Sequence, residues 1–252
     1  MAKGLERIGE CKLSNQGSLM KIVEYNSATD VVVEFQDNYK HRIRTDYGCF
    51  KRGGIKNPYY KSLFKVGYLG LASAVSNGEI KQSYSVWHGL ISRCYSEWFL
   101  KKSPTYKECY VCDEWLCFEN FDKWWNENYY EVEGQKMNLD KDILFKGNKI
   151  YSPQTSVIVP REINTLFLKE EGHRGELPIG VTFQSSTGRY AANCKVGGKL
   201  QYLGGYKTIQ EAFEVYKEYK ENVIKEYANK YKGIIPNNLY EAMMKYEVEI
   251  TD

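Results

Sequence analysis

No stretch of this chain approaches the roughly 20 consecutive apolar residues of a membrane span, and its opening MAKGLERIGECKLSNQGSLM has no apolar core of signal-peptide length. No membrane partner is therefore expected, and the cytoplasm is the expected location. Excess charge is missing too: 35 Lys and Arg against 32 Asp and Glu leave only +3 at pH 7. Nucleic-acid binding cannot be inferred from bulk basicity, and any such claim must rest on local patches. The seven cysteines are an odd number without secretory context, and several sit in apolar runs, so reduced thiols are expected rather than a disulfide framework.

Aromatic residues are what the chain has in quantity. Its 22 Tyr, 10 Phe and 5 Trp supply large core and contact surfaces, although the hydrophobic share is only 42%. A length of 252 residues implies two or three domains.

The expected class is multidomain α+β. From Leu19 to Phe50 apolar and polar residues alternate between turn-rich clusters, which predicts a meander of short strands. Residues 1–72 therefore read as a small β-barrel-like domain closed by the FKRGGIKNP stretch. Its basic residues His41, Arg42, Arg44, Lys51 and Arg52 fit either a nucleic-acid contact or a solvated strand edge. The small, polar SAVSNGEIKQS marks a boundary, and Trp87, Leu90, Ile91, Cys94 and Trp98 after it share one helical face. A second amphipathic helix carries Phe118, Phe121 and Trp125. Two short apolar strands flanking a Gly-Asn turn follow, with Pro160 opening a helix, so 80–170 reads as helices leading to a ββα unit. Beyond the polar LKEEGHRGELP, residues 175–232 predict a three-stranded antiparallel sheet packed on one long helix. Its stripe is Ala212, Tyr216, Tyr219, Val223 and Tyr227, and a tail follows at 233–252.

Within RYAANCKV, Tyr190, Ala192, Cys194 and Val196 should face the helix and Arg189, Asn193 and Lys195 the solvent. A strand ribbon fits the major groove, where Arg and Lys can donate to guanine and Asn can pair with adenine. The motifs GVTF, GRYAANCKVGGKLQYLGGY and TIQEAFEVYKEY resemble the Apetala-type (ethylene-responsive factor) DNA-binding domain over about 55 residues. The resemblance implies duplex DNA as partner, contacted by Arg189, Asn193, Lys195 and Tyr202, with Thr182 and Gln184 beside them. This copy is poorer in Arg than its plant relatives, so fewer phosphates are neutralised.

LDKDILFKGNKIYSPQTSVIVPREIN resembles the core of phage HNH homing endonucleases, and WHGLISRCY with YVCDEWLCFENF resembles the segment preceding it, about 85 residues in all. The resemblance implies a catalytic site at Asp140, Lys141 and Asn164, with Asp140 and Asn164 sharing one Mg²⁺ where a strand end meets the first helical turn. Lys141 stands where the family has the His that activates water, and lysine, which holds its proton at neutral pH, is a poor substitute. A phosphate-gripping Lys141 is the simpler role, Asp142 is an alternative group to orient a metal-bound water, and Asn148 reads as a turn former. Cys109 and Cys112 have chelate spacing, and with Cys94 and Cys117 they define a zinc alternative; buried thiols are the preferred reading. Three functions follow: a metal-dependent DNA endonuclease, a catalytically silent DNA-binding protein, or a phage regulator or inhibitor of host defence that uses the scaffold to bind a protein or ribonucleoprotein.

Overall fold

The computed structural model describes residues 5–168 and 177–251. It is mixed α+β, with seven α-helices and several small sheets among those residues. Two compact units, 1–127 and 128–252, divide the chain. The boundaries expected from sequence were at 72/80 and 170/175. The second of these falls in 169–176, outside the described residues.

In the first unit, strands β1 (Cys11–Leu13), β2 (Leu19–Ser27), β3 (Asp30–Phe35) and β4 (Arg42–Thr45) form an antiparallel meander in sequence order. Two register shifts along β2 add twist. Its inner face carries Met20, Ile22, Val31, Val33 and Phe35, and these bury Phe50 from helix α1 (Tyr47–Arg52) together with Ile55. The FKRGGIKNP stretch thus contributes a helix end and its cap, with Gly53 in the left-handed region at φ 69°. No pairing of β1 with β4 closes the sheet among the described residues.

Helices α2 (Gln82–Tyr95), α3 (Glu97–Lys102) and α4 (Phe118–Asn128) follow. Trp87, Leu90, Ile91 and Cys94 are buried as their spacing predicts, but Trp98 is 68% exposed. The periodicity fails at Ser96, whose extended backbone ends α2 and whose hydroxyl caps α3, so Trp98 belongs to a different helix. SAVSNGEIKQS folds as a two-residue hairpin on an Asn77-Gly78 turn. Tyr68 donates its N–H to the Leu116 carbonyl (3.0 Å) and accepts from Phe118 N–H (2.8 Å), which ties the segment before that hairpin to the helices after it. Asp122 is buried and satisfied by the Ser83 hydroxyl (2.5 Å) and the Lys81 ammonium (2.7 Å).

In the second unit, β5 (Met137–Asp140) pairs antiparallel with β6 (Val157–Pro160), and α5 (Arg161–Leu166) follows directly. The Gly-Asn pair lies inside the long connection 141–156 and is not a tight turn between paired strands. Strands β7 (Val181–Gln184), β8 (Arg189–Val196) and β9 (Lys199–Tyr206) form the expected antiparallel sheet in sequence order. Helix α6 (Ile209–Lys230) opens on a reciprocal capping box between Thr208 and Glu211.

At 22 residues α6 is about 33 Å long, more than a three-stranded sheet can cover. Its first half, with Ala212, Phe213 and Tyr216, buries Val181, Ala192 and Cys194 of the sheet. Its second half, with Val223, Ile224 and Ala228, buries Ile143, Val157, Val159 and Ile163 of the hairpin and α5. The tail completes both cores: Leu239 and Met243 of α7 (Asn237–Met244) join the second, and Val248 joins the first.

Candidate nucleic-acid interface

The cross-strand register sorts the sheet residues by face. Val181 opposes Ala192 and Phe183 opposes Tyr190 on the helix side, whereas Thr182 opposes Ala191 and Gln184 opposes Arg189 on the other. Between β8 and β9 the register slips by one residue: Ala192 pairs with Gly204 but Asn193 with Tyr202, leaving Leu203 as an extra residue. The bulge returns Tyr206 to the helix side, where a strict alternation from Tyr202 would have sent it outward. Gly204, at φ 135°, takes the strained position.

Thr182, Gln184, Arg189, Asn193, Lys195 and Tyr202 consequently share one face, all exposed or half-buried. Asn193 Nδ2 donates to Thr182 Oγ1 at 3.0 Å and lies 3.5 Å from the Ala191 carbonyl, which fixes the amide beside the hydroxyl. An acceptor and a donor side by side match the N6 and N7 groups of adenine. Arg189 lies along Gly205, with Nη1 3.5 Å from the Gly205 carbonyl, and the Tyr202 hydroxyl reaches over the same glycine. Gln184 Oε1 is 3.3 Å from the Thr187 hydroxyl.

Residues 181–207 contain four Lys or Arg and no Asp or Glu, so this segment alone exceeds the +3 of the whole chain. That concentration was legible in the sequence and is diluted to invisibility in the bulk count. At the sheet margin, Thr182, Asn193 and Lys195 border a cavity of about 420 Å³ that Tyr216 and Lys220 line from α6. Lys220 is buried on that helix, and the periodicity alone did not single it out. Burial pushes the nearby Cys194 thiol above its ordinary value, with Lys220 working the other way.

The hairpin site has a different character. Asp140 Oδ1 accepts the backbone N–H groups of Asp142 (2.7 Å) and Ile143 (2.8 Å), so the carboxylate caps the loop that leaves β5. Burial raises the Asp140 carboxyl above the usual range, and the two backbone donors offset only part of that. Lys141 turns inward and is 7% exposed. Its ammonium meets both Asp142 oxygens (2.8 and 2.7 Å) and the Asn148 carbonyl (2.7 Å), three acceptors for three donors. Asn148 reciprocates, donating to the carbonyls of Lys141 (2.8 Å) and Ile150 (2.7 Å). Lys141, Asp142 and Asn148 thus form a loop clasp that engages all three donors of the lysine.

Asn164 is half-buried in α5. The start of α5 lies beside the Met137 end of β5: Pro160 pairs with Met137, and Arg161 N–H donates to the Lys136 carbonyl (2.8 Å). Asp140 sits three residues further along β5, about 10 Å at 3.3 Å per residue. The Mg²⁺ implied by the family likeness takes hard oxygen donors. No three His, Cys, Asp or Glu side chains come together as a metal site among the described residues.

The candidate zinc cysteines form no such group either among the described residues. Cys94, Cys109 and Cys117 are buried and Cys112 half-buried, all as free thiols, and burial raises the thiols of Cys112 and Cys117. In the N-terminal sheet, Arg42 pairs with Glu34 (2.9 Å), Arg44 with Asp30 (2.8 Å) and Lys51 with Glu10 (3.4 Å), so the basic edge is largely neutralised within the sheet.

Comparison with protein families, curated proteins and solved structures gave no match. Among the described residues no helix is long and apolar enough to cross a membrane.

Proposed function

We propose that this chain binds duplex DNA through the free face of the β7–β9 sheet, with the hairpin and α5 serving as a non-cleaving scaffold. One observation carries the reading: α6 covers one face of the sheet and leaves, on the other, a row of donors, acceptors and cations in a segment without a single acid. Phosphate contacts from Arg189 and Lys195 supply affinity, and the Thr182–Asn193 pair with Tyr202 supplies base discrimination. The Apetala-type likeness of the same strands supports the assignment. With its ammonium fully engaged, Lys141 is not free to act as the base that the HNH likeness would place there, which supports a role in binding rather than hydrolysis.

A salt titration of duplex binding tests the proposal. Wild type binds at low salt, and Arg189→Ala with Lys195→Ala flattens the slope of log K against log salt by about 2, at ~0.9 for each phosphate left without its cation. Absence of duplex binding at low salt sinks it. Supercoiled plasmid with Mg²⁺ or Mn²⁺ is expected to stay intact; nicking that Asp140→Ala abolishes would overturn the non-cleaving assignment.

A further inference from the structure

The N-terminal unit has its own cationic surface, and it is not the strand edge that charge counting suggests. Lys56, Lys61 and Lys65 are exposed and have no ion pair or hydrogen bond among the described residues, in contrast to the paired Arg42, Arg44 and Lys51. They alternate along KNPYYKSLFK with aromatic side chains. Tyr60 is 39% exposed and Phe64 38%, and Tyr60 makes no ring contact among the described residues.

The turn that presents two of these groups is strained. Leu63 and Gly67 exchange backbone hydrogen bonds (3.0 and 2.9 Å), and the chain between them passes through φ 48° at Phe64 and φ 62° at Lys65. Glycine or asparagine ordinarily fills such positions, because a large side chain there costs free energy. One edge of the Phe64 ring meets His88 (centroids 6.2 Å apart), and the rest of the ring is displayed to solvent. Beside this turn, Lys56, Tyr60, Leu69, Leu71, His41 and Gln16 border a groove of about 350 Å³, roomy enough for a nucleobase.

We infer that this surface binds single-stranded nucleic acid, with unpaired bases against Tyr60 and Phe64 and phosphates on Lys56, Lys61 and Lys65. Aromatic faces interleaved with unpaired cations suit a single strand, since a duplex hides its base faces in the stack and offers only edges and phosphates. This surface lies wholly in the N-terminal unit and does not depend on the sheet of the C-terminal one.

Anisotropy of a fluorescein-labelled 15-mer of thymidylate, titrated with the full chain across a salt series, tests it. The wild type binds at low salt. Combined Lys56→Ala, Lys61→Ala and Lys65→Ala flatten the salt slope by about 2, at ~0.7 per single-strand phosphate. Tyr60→Ala weakens binding about 5-fold or more, and Tyr60→Phe retains it. The corresponding Lys→Arg triple keeps the wild-type slope, which separates removal of charge from failure to fold. Arg189→Ala with Lys195→Ala leaves the single-strand slope unchanged while lowering the duplex slope, so either proposal can fail alone. No single-strand binding at low salt, an unchanged slope in the alanine triple, or weakening through the sheet substitutions instead would overturn the inference.

Discussion

Lys141 shows how a side chain at a position of expected chemistry can be spent on holding a loop. Its position after Asp140 is where the HNH likeness expects the base, but the ammonium closes the 141–148 loop from inside. Lys141→Met is expected to cost about 1–3 kcal/mol, measured by urea unfolding, because the Asn148 carbonyl loses a charged donor while the 51%-exposed Asp142 rehydrates. Glu162 makes a pH-dependent contribution. Burial disfavours its carboxylate, yet hydrogen bonds from Tyr231 and Lys230 outweigh burial and hold the carboxyl below its ordinary range. A lowered folded-state value means stability that is present above about pH 4.3 and lost as pH falls through the folded value. Glu162→Gln should therefore be less stable than wild type by ~1 kcal/mol at pH 7, and unfolding midpoints should converge between about pH 5 and 3.

At the scale of the element, the sheet depends on where its glycines fall. Gly180 has φ 78°, and a Cβ there would lie 2.1 Å from the Tyr216 ring, so helix and sheet approach as closely as they do only because this side chain is missing. Gly180→Ala is expected to destabilise the C-terminal unit by roughly 2–4 kcal/mol, visible as a lowered urea midpoint. The strands, their order and the alternation in β8 were legible from apolar spacing. The bulge at Leu203 was not, because one extra residue leaves the local pattern of YLGGY unchanged and shows itself only in the pairing with Ala192 and Asn193. The break at Ser96 was hidden in the same way, since a continuous helical period runs through it.

The whole-molecule consequence lies in α6, which closes two cores in one unit. A fragment of residues 175–232 keeps the Apetala-type pattern but leaves Val223, Ile224 and Ala228 without the hairpin and α7. It is expected to melt at lower temperature and less cooperatively than 128–252 when both are followed by circular dichroism. In hydrogen exchange of the full chain, β5–β6 and β8–β9 should open with the same free energy, since both rest on one helix. Protection of β8–β9 outlasting that of β5–β6 by several kcal/mol would show the two cores to be independent.

By itself the sequence determined the elements that periodicity encodes: the N-terminal meander, the three-stranded sheet, the long capped helix and the polar row from Arg189 to Lys195. Each is a local pattern, set by 2.0- and 3.6-residue repeats and by turn residues. Tertiary structure alone decided which groups are spent and which are free. Nothing within a few residues of Arg42, Arg44 or Lys61 says whether a charge will find a partner, because partners such as Glu34 and Asp30 come from strands brought up by folding. For that reason the row of polar residues on the sheet was readable from its own alternation, and the inward turn of Lys141 was not.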